Sequence, residues 1–568
     1  MAAPSAPRSF LQHRIVRQKA LPVPSRSMKS RVLLTMGAFA CVYALIASRL
    51  VMLGLAEPTS AASYISAQDS VAASRPDLVD RNGEILATDI KTASLYAEPR
   101  KIVDVDEAFE GLSSVLPELR QPSVRNRLAS NAGFIWLKRE LTPAQQQKIH
   151  NLGIPGIGFL QENRRFYPGG PTASHIVGST NVDNQGIAGM ELAIDRAWLR
   201  DLQAAGFAAN KAIEPVRLSV DIRVQHVVRD ELIRAMERYH AIAAAGIVLD
   251  AQTGEVVAMS SVPDYDPNDR SEALDKDKLN RATGGVYEMG SVFKGFTVAM
   301  ALDSGKVTVE DSFDATRPIR AGGRTISDFH GKNRILSVPE IFIYSSNIGT
   351  VKMMLTAGIN AQQEFMKKIG LTDRMDTELP EVATPLLPAR WRELEAMTIS
   401  FGHGISVTPM QTAVAAAALV NGGKLIPPTF YPRDRVTAEA LAKQVISKRT
   451  SAIVRYLYQL NVLSGSGKRA AVPGYMVGGK TGTAEKVENG HYVANKRRNS
   501  FLSAFPMDDP RYVVLVMLDE PKPEREGIGA TAGLNAAPTV ANIIRRTAPM
   551  LGVLPKFGEG ADTIPVSY

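Results

Sequence analysis

The sequence predicts an α+β protein: an antiparallel sheet with packed helices, preceded by a mixed α/β region and one N-terminal membrane helix. Three observations lead there. An uncharged apolar run fills residues 32–48. The texture changes after Pro215, where strand-like stretches stand at both ends and helical patterns gather between them. Strands and helices in blocks, rather than in alternation, fit an antiparallel sheet covered by helices. At 568 residues the chain is also too long for one compact core. The expected divisions are 1–31, a basic tail; 32–56, a membrane anchor; 57–215, a spacer or binding region; 216–552, the main α+β domain; and 553–568, a C-terminal tail.

Composition narrows the class. Hydrophobic residues make up 45% and charged residues 22%, which excludes a mainly disordered or collagen-like chain. The net charge of +9 looks like a nucleic-acid signal until it is located. Residues 1–56 carry eight basic residues and no acid, which leaves 58 basic against 57 acidic residues beyond them. The body is nearly neutral, so no phosphate-binding surface and no nucleic-acid partner follow. Cys41 is the sole cysteine, so the chain can form neither an internal disulfide nor a thiolate metal cluster.

The elements follow in chain order. Val32–Ser48 carries no charge, and after Arg49 the apolar run continues to Ala56. As a helix, 32–56 reaches about 37 Å, enough to cross a hydrocarbon core of about 30 Å, with Arg49 snorkelling near its far end. Seven basic residues precede it, which places the N-terminus in the cytoplasm and everything after about Glu57 outside it. A cleaved signal peptide would have a shorter apolar core and a shorter leader. Ala40, Ala44 and Ser48 form a small-residue row suited to a partner helix.

Residues 57–74 read as an Ala/Ser-rich stalk, and Asn82-Gly83 as a tight hairpin turn. Thr142-Pro143 opens a helix that stops at Gly153. Ala245–Asp250 and Gly254–Ser260 read as two strands, and a helix is expected from Ser291 to Gly305. Ser337–Glu340 has capping-box spacing, and Thr408-Pro409 starts an alanine-rich helix ending at Asn421-Gly422-Gly423. Tyr475–Val487, Ser500–Phe505 and Tyr512–Leu518 are strand-like.

The chemistry begins at Ser291-Val-Phe-Lys294, where a Gly290 turn enters a helix. At i and i+3 the two side chains share a face, so the amine can reach the hydroxyl. A serine hydroxyl is a weak nucleophile until a base takes its proton. For lysine to serve, its pKa must fall by roughly three units, about 4 kcal/mol, through burial and a second cation. A lone Ser-x-x-Lys is a weak signal, since a chain of this length holds about one or two by chance. Two further triplets follow in order: Ser345-Ser346-Asn347 and Lys480-Thr481-Gly482, then Thr483. Asn347 offers an amide to a peptide carbonyl, Ser345 a proton-relaying hydroxyl, and Lys480 a second cation. Glycine at 482 clears a side chain where an edge strand meets a substrate backbone.

This ordered set resembles the motifs of penicillin-binding proteins and serine β-lactamases. Arg75–Ala87, Arg164–Gly170 and Gly186–Glu191 are similar to the pedestal segments of class B penicillin-binding proteins, and residues 245–545 to their transpeptidase domain. With the anchor the likeness covers roughly nine-tenths of the chain, and the stretch after Lys480 is most similar to septal members. The resemblance implies a penicillin-binding transpeptidase domain on an elongated α/β pedestal, with Ser291 as the acylated nucleophile and Lys294 as its base. It further implies proton relay by Ser345, peptide orientation by Asn347 and positive potential from Lys480. Thr481 and Thr483 would bind the substrate carboxylate, and the backbone N–H groups of Ser291 and Thr483 would form the oxyanion hole.

Implied too are a D-Ala–D-Ala transpeptidase of septal cell-wall synthesis, peptidoglycan stem peptides as substrate and β-lactams as inhibitors. The implied partners are a septal glycosyltransferase of the FtsW type and other division proteins. The implied location is the inner membrane at the division site, with the catalytic domain periplasmic. An elongation-type transpeptidase, a D,D-carboxypeptidase and a penicillin sensor share the fold and stay open at this point. The sequence departs from the family pattern at Met289, usually proline, and at Ser466, commonly threonine.

Other motifs carry less. Gly465-Ser-Gly467-Lys468 lacks phosphate-loop spacing and reads as a turn. The eight histidines show no metal spacing, so neither a metal nor another cofactor is expected. His403 is read as a loop histidine beside the cleft without a proton-transfer role, and Tyr287-Glu288 as shaping the nucleophile turn.

Overall fold

The structure, a computed structural model, describes residues 33–34, 36–37, 39–48, 75–204, 214–269, 271, 275–488 and 491–557. It divides into two units, residues 1–65 and 66–568. In the first, the described residues between 33 and 48 are helical. No helix among the described residues is long and apolar enough to cross a membrane, and the span expected over 32–56 lies partly outside them. The expected basic tail, the stalk and residues 558–568 also fall outside.

The second unit opens with a five-stranded sheet. Strand β1 (Leu78–Val79) turns through Asn82-Gly83 into the long β2 (Ile85–Ala97). The predicted hairpin is present, and the Asp80 side chain pins it by accepting from Asn82 N at 2.7 Å and Glu84 N at 2.9 Å. Strands β3 (Ile135–Leu141) and β4 (Ile157–Phe166) both pair antiparallel with β2, while β5 (Val216–Arg217) runs parallel to β1. Helices Val105–Val115, Pro122–Leu128 and Pro143–His150 close a small core around Leu95, Leu112, Leu116, Leu128 and Ile149. The last of these helices starts at the capping box expected at Thr142.

Beneath this sheet lies a cluster of buried charge. Arg165 is fully buried and pairs with Glu191 at 2.6 Å and Asp89 at 3.1 Å. Arg75 pairs with Glu191 at 2.7 Å and Asp195 at 2.6 Å. Further on, Arg81 reaches Glu255 at 2.6 Å and ties the first hairpin to the domain that follows.

That domain is built in chain order from α1 (Ile222–Tyr239), β6 (Ala243–Asp250), β7 (Val256–Val262), α2 (Phe293–Asp303), α3 (Val338–Ile343), α4 (Asn347–Ala357), α5 (Pro409–Val420), α6 (Lys448–Ser464), β8 (Gly478–Glu488), β9 (His491–Phe505), β10 (Tyr512–Asp519) and α7 (Ala536–Thr547). The strands form one antiparallel sheet in the order β8-β9-β10-β6-β7. Every residue of β6, β7 and β10 is buried because both faces are covered. On one face Val248, Val514, Val516 and Phe501 meet α1 and α7; on the other Ile247, Leu249, Leu515 and Met517 meet the helices between. This period-2 split assigns alternate side chains to two cores.

At the centre of the second layer, α5 is buried at all twelve positions and begins at the capping box expected at Thr408. A helix this apolar all round belongs inside a core. The Ser337 capping box is present as well, opening the short α3.

Several boundaries differ from expectation. Strand β8 begins at Gly478, three residues after the expected start, while Tyr475 makes only a single bridge to Val472. Strand β9 reaches back to His491, nine residues before the expected start; its outer part is held by pairing with β8, while its charge and lack of alternation give no strand pattern in the sequence. Helices α1, α6 and α7 lie where the sequence reading placed no element.

Candidate active site

The site forms where the N-terminal end of α2, the α3–α4 junction and edge strand β8 converge. Gly290–Val292 is a single 3-10 turn that leads into α2, so Ser291 sits on the turn rather than in the α-helix expected from it. The turn is held by close backbone contact on two sides. A Cβ on Gly290 would lie 2.7 Å from Thr483 O, and one on Gly402 would collide with Gly290 O. On the strand side, a Cβ on Gly482 would strike Met289 O and the Val292 side chain. Both Gly290 and Gly402 have positive φ, +55° and +87°, a second reason for glycine there. Met289, at the position where proline was expected, is buried and keeps the turn.

Lys294 lies inside α2 and is 1% exposed. Its amine donates twice to Ser345, to the carbonyl and to Oγ at 3.0 Å. Lys480, fully buried on β8, donates to the same Ser345 Oγ at 3.0 Å and lies 5.8 Å from the Phe342 ring centroid. Two amines thus meet on one hydroxyl. Burial lowers the Lys294 pKa well below the ordinary lysine value, and the neighbouring Lys480 lowers it further. Burial brings Lys480 down to about 7. A neutral amine here offers a lone pair to a hydroxyl proton, which a lysine in water does not.

Ser345 reaches both amines because its backbone adopts φ +56°, an uncommon conformation for a residue with a side chain. Asp328 secures this junction by accepting from Ser346 Oγ at 2.8 Å and Ile348 N at 3.0 Å. Its carboxylate also offsets a little of the Lys294 shift. The sequence reading passed over Asp328, which sits in a loop with no motif around it. Asn347 is at the same junction, with its Nδ2 donating to Ser327 O at 2.9 Å.

Thr481 follows Lys480 on β8, and the Lys480 amine also donates to its Oγ1 and its carbonyl, both at 3.3 Å. Thr481 Oγ1 lies 2.7 Å from Ser466 Oγ, and Thr483 Oγ1 accepts from Ala532 N at 3.4 Å. Ser466 therefore supplies the hydroxyl that a threonine would have brought, and the Gly465–Gly467 segment is a helix-end turn.

Two groups stand beside the nucleophile turn. Burial, followed by the Lys294 amine, lowers the His403 pKa to about 4, so the ring is neutral. It lies 5.7 Å from Tyr492. Glu288 accepts from Gly404 N at 2.7 Å and Tyr492 OH at 3.0 Å, and burial raises its pKa. The turn-shaping role read for Glu288 thus includes a partner on a distant hairpin, which local sequence does not display.

Comparisons with known proteins identify the family. Residues 244–545 match the penicillin binding protein transpeptidase domain, and residues 70–196 the penicillin-binding protein dimerisation domain. The chain is 38% identical over 566 residues to the probable peptidoglycan D,D-transpeptidase FtsI of Caulobacter vibrioides, covering 96% of this chain and 92% of that one. It is 31% identical over 484 residues to peptidoglycan D,D-transpeptidase FtsI of Escherichia coli K12, covering 80% of each. Among solved structures, the apo transpeptidase domain of Burkholderia pseudomallei penicillin-binding protein 3 matches at TM-score 0.54 and 33% identity, over 60% of this chain and 98% of that domain. With the dimerisation region ahead of the transpeptidase domain, and Ser345 joining two buried lysines beside the turn that carries Ser291, the chain belongs to the class B penicillin-binding proteins.

Proposed function

We propose that this chain is a peptidoglycan D,D-transpeptidase of the division septum, acting through an acyl-serine intermediate. One observation carries the chemical reading: two buried amines, both shifted below the ordinary lysine range, converge on Ser345 beside the turn that carries Ser291.

Ser291 Oγ attacks the carbonyl carbon of the D-Ala–D-Ala bond while neutral Lys294 takes its proton. The tetrahedral oxyanion forms toward the backbone N–H groups of Ser291 and Thr483, whose chains lie in contact at Gly290. Collapse breaks the peptide C–N bond, and Ser345 delivers its proton to the departing D-alanine amine while protonated Lys294 refills Ser345 and becomes neutral again. An acceptor amine then attacks the acyl ester, gives its proton to Lys294, and receives the acyl group as the ester C–O bond breaks and Lys294 passes that proton to Ser291 Oγ. Asn347 orients the donor peptide, Lys480 holds positive potential, and Thr481 and Thr483 receive the substrate carboxylate. A β-lactam presents a carbonyl to the same serine.

In this reading residues 32–56 cross the inner membrane with the N-terminus cytoplasmic, 57–215 form the pedestal and 216–552 the periplasmic transpeptidase domain. An FtsW-type septal glycosyltransferase and other division proteins would be its partners. The full-length chain in detergent, incubated with a fluorescent penicillin and then chased, tests the chemistry. Stable label on wild type and none on Ser291→Ala is the expected result. Label lost within minutes would point to a hydrolase, and equal label on Ser291→Ala would move the nucleophile elsewhere.

A further inference from the structure

The β8–β9 hairpin is longer than the sheet that supports it. Strand β10 pairs with β9 only from Arg498 to Phe505, whereas β8 and β9 stay paired out to Glu488 and His491, past a register shift at Glu485/Lys486. The outer arm, 486–488 paired with 491–493, is therefore a two-stranded projection, and such ribbons are marginally stable alone. Its base is fixed by Lys486, which pairs with Asp519 at 3.0 Å and Glu520 at 2.8 Å. Toward its tip, Tyr492 donates its hydroxyl to Glu288 Oε1 at 3.0 Å.

The same oxygen accepts from Gly404 N at 2.7 Å, in a loop already stitched to the nucleophile turn. Tyr287 and Val407 exchange two backbone hydrogen bonds at 2.9 and 3.0 Å, and Gly290 N donates to Gly402 O at 3.2 Å. The His403 ring fills the space between Phe401 and Tyr492, at 5.4 and 5.7 Å from them. One carboxylate oxygen, three residues before Ser291, thus joins the hairpin arm, the 401–407 loop and the nucleophile turn. Its other oxygen, Oε2, is buried without a hydrogen-bond partner.

We infer that Glu288 is a positioning residue: it latches the hairpin arm to the loop behind the nucleophile turn and so fixes the rim against which a donor ligand binds. The latch needs one acceptor oxygen and no proton transfer, since both of its partners donate to Oε1. It acts on ligand capture rather than on the bond-making step, because it touches neither lysine nor Ser345.

The test rests on the transpeptidase reading only for its assay. Full-length wild type, Glu288→Ala, Glu288→Gln, Tyr492→Phe and Glu288→Ala/Tyr492→Phe are acylated with a fluorescent penicillin over a concentration series, which separates the dissociation constant KS from the first-order rate k2. Glu288→Ala and Tyr492→Phe should each raise KS about tenfold and leave k2 within about twofold, and the double variant should be no worse than the poorer single. Glu288→Gln, which keeps an acceptor oxygen, should recover most of the loss. Losses that multiply in the double variant, a fall in k2 instead of a rise in KS, or a Gln variant as poor as Ala would each overturn the latch. Wild type that takes no label would overturn the transpeptidase reading instead, and the latch's role in ligand capture with it.

Discussion

Arg165 and Lys480 are both fully buried cations, and they keep opposite company. Arg165 lies among carboxylates, with Glu191 and Asp89 in contact, and Arg75 beside it pairs with Glu191 and Asp195. Burial alone would depress Arg75, yet its acidic partners more than reverse that and raise its pKa. Lys480 has a hydroxyl, an aromatic ring and another lysine around it. There burial prevails, and the pKa falls to about 7. The first cluster pairs its charges with each other and ties β2 and β4 to the helix that carries Glu191 and Asp195. The second leaves them unpaired, which costs stability and creates reactivity.

Replacing each cation with methionine exposes the difference. The largest effect is expected at Lys294→Met, where loss of the base should lower penicillin acylation about a thousandfold with the fold retained, read by labelling kinetics beside circular dichroism. Acylation within tenfold of wild type would return Lys294 to a structural role. Next is Arg165→Met, which strands Glu191 and Asp89 in the interior and should destabilise the chain by about 3–5 kcal/mol in denaturant unfolding. A neutral result there would erase the contrast.

Smallest, and opposite in sign, is Lys480→Met. Between pH about 7 and the ordinary value of 10.5, the folded chain holds fewer protons at Lys480 than the unfolded chain, so wild-type stability rises with pH across that window. Methionine removes the penalty. After its lost hydrogen bonds are counted, the variant should gain about 1–3 kcal/mol at pH 7, and above pH about 10, where only those losses remain, it should fall about 1–3 kcal/mol below wild type. A gain independent of pH would mean that packing rather than charge is responsible.

The site's chemistry was legible because it requires particular residue types at short spacing: Ser291 with Lys294, Ser345 with Asn347, and Lys480 through Thr483. Glycine at 482 was expected for the approach of a substrate backbone, whereas the structure fills that space with the chain's own Met289 O, Ser500 Oγ and Val292 side chain. What stayed hidden are contacts made across the chain. Asp328 meets Ser346 from a loop without periodicity, and Tyr492 meets Glu288 across 204 positions.

The fold divides in the same way. Strands β6 and β10 announce themselves because both faces are buried, whereas the outer part of β9, with Lys496-Arg497-Arg498, looks like a loop. Helices α1 and α7 did carry a signal, with buried Val224, Val228, Leu232 and Ala235 in one and Val540, Ile543, Ile544 and Thr547 in the other at helical spacing. Their many charged and polar residues masked it.

The glycine seam around the nucleophile turn also bears on heredity. At Gly290, Gly402 and Gly482 main chain lies against main chain, with no room for even a methyl group. Every single-nucleotide change that turns a glycine codon into another residue adds a Cβ, so these positions offer no tolerated first step. Variation that alters ligand binding is therefore expected away from these three glycines, while the frame around the Ser291 turn stays fixed.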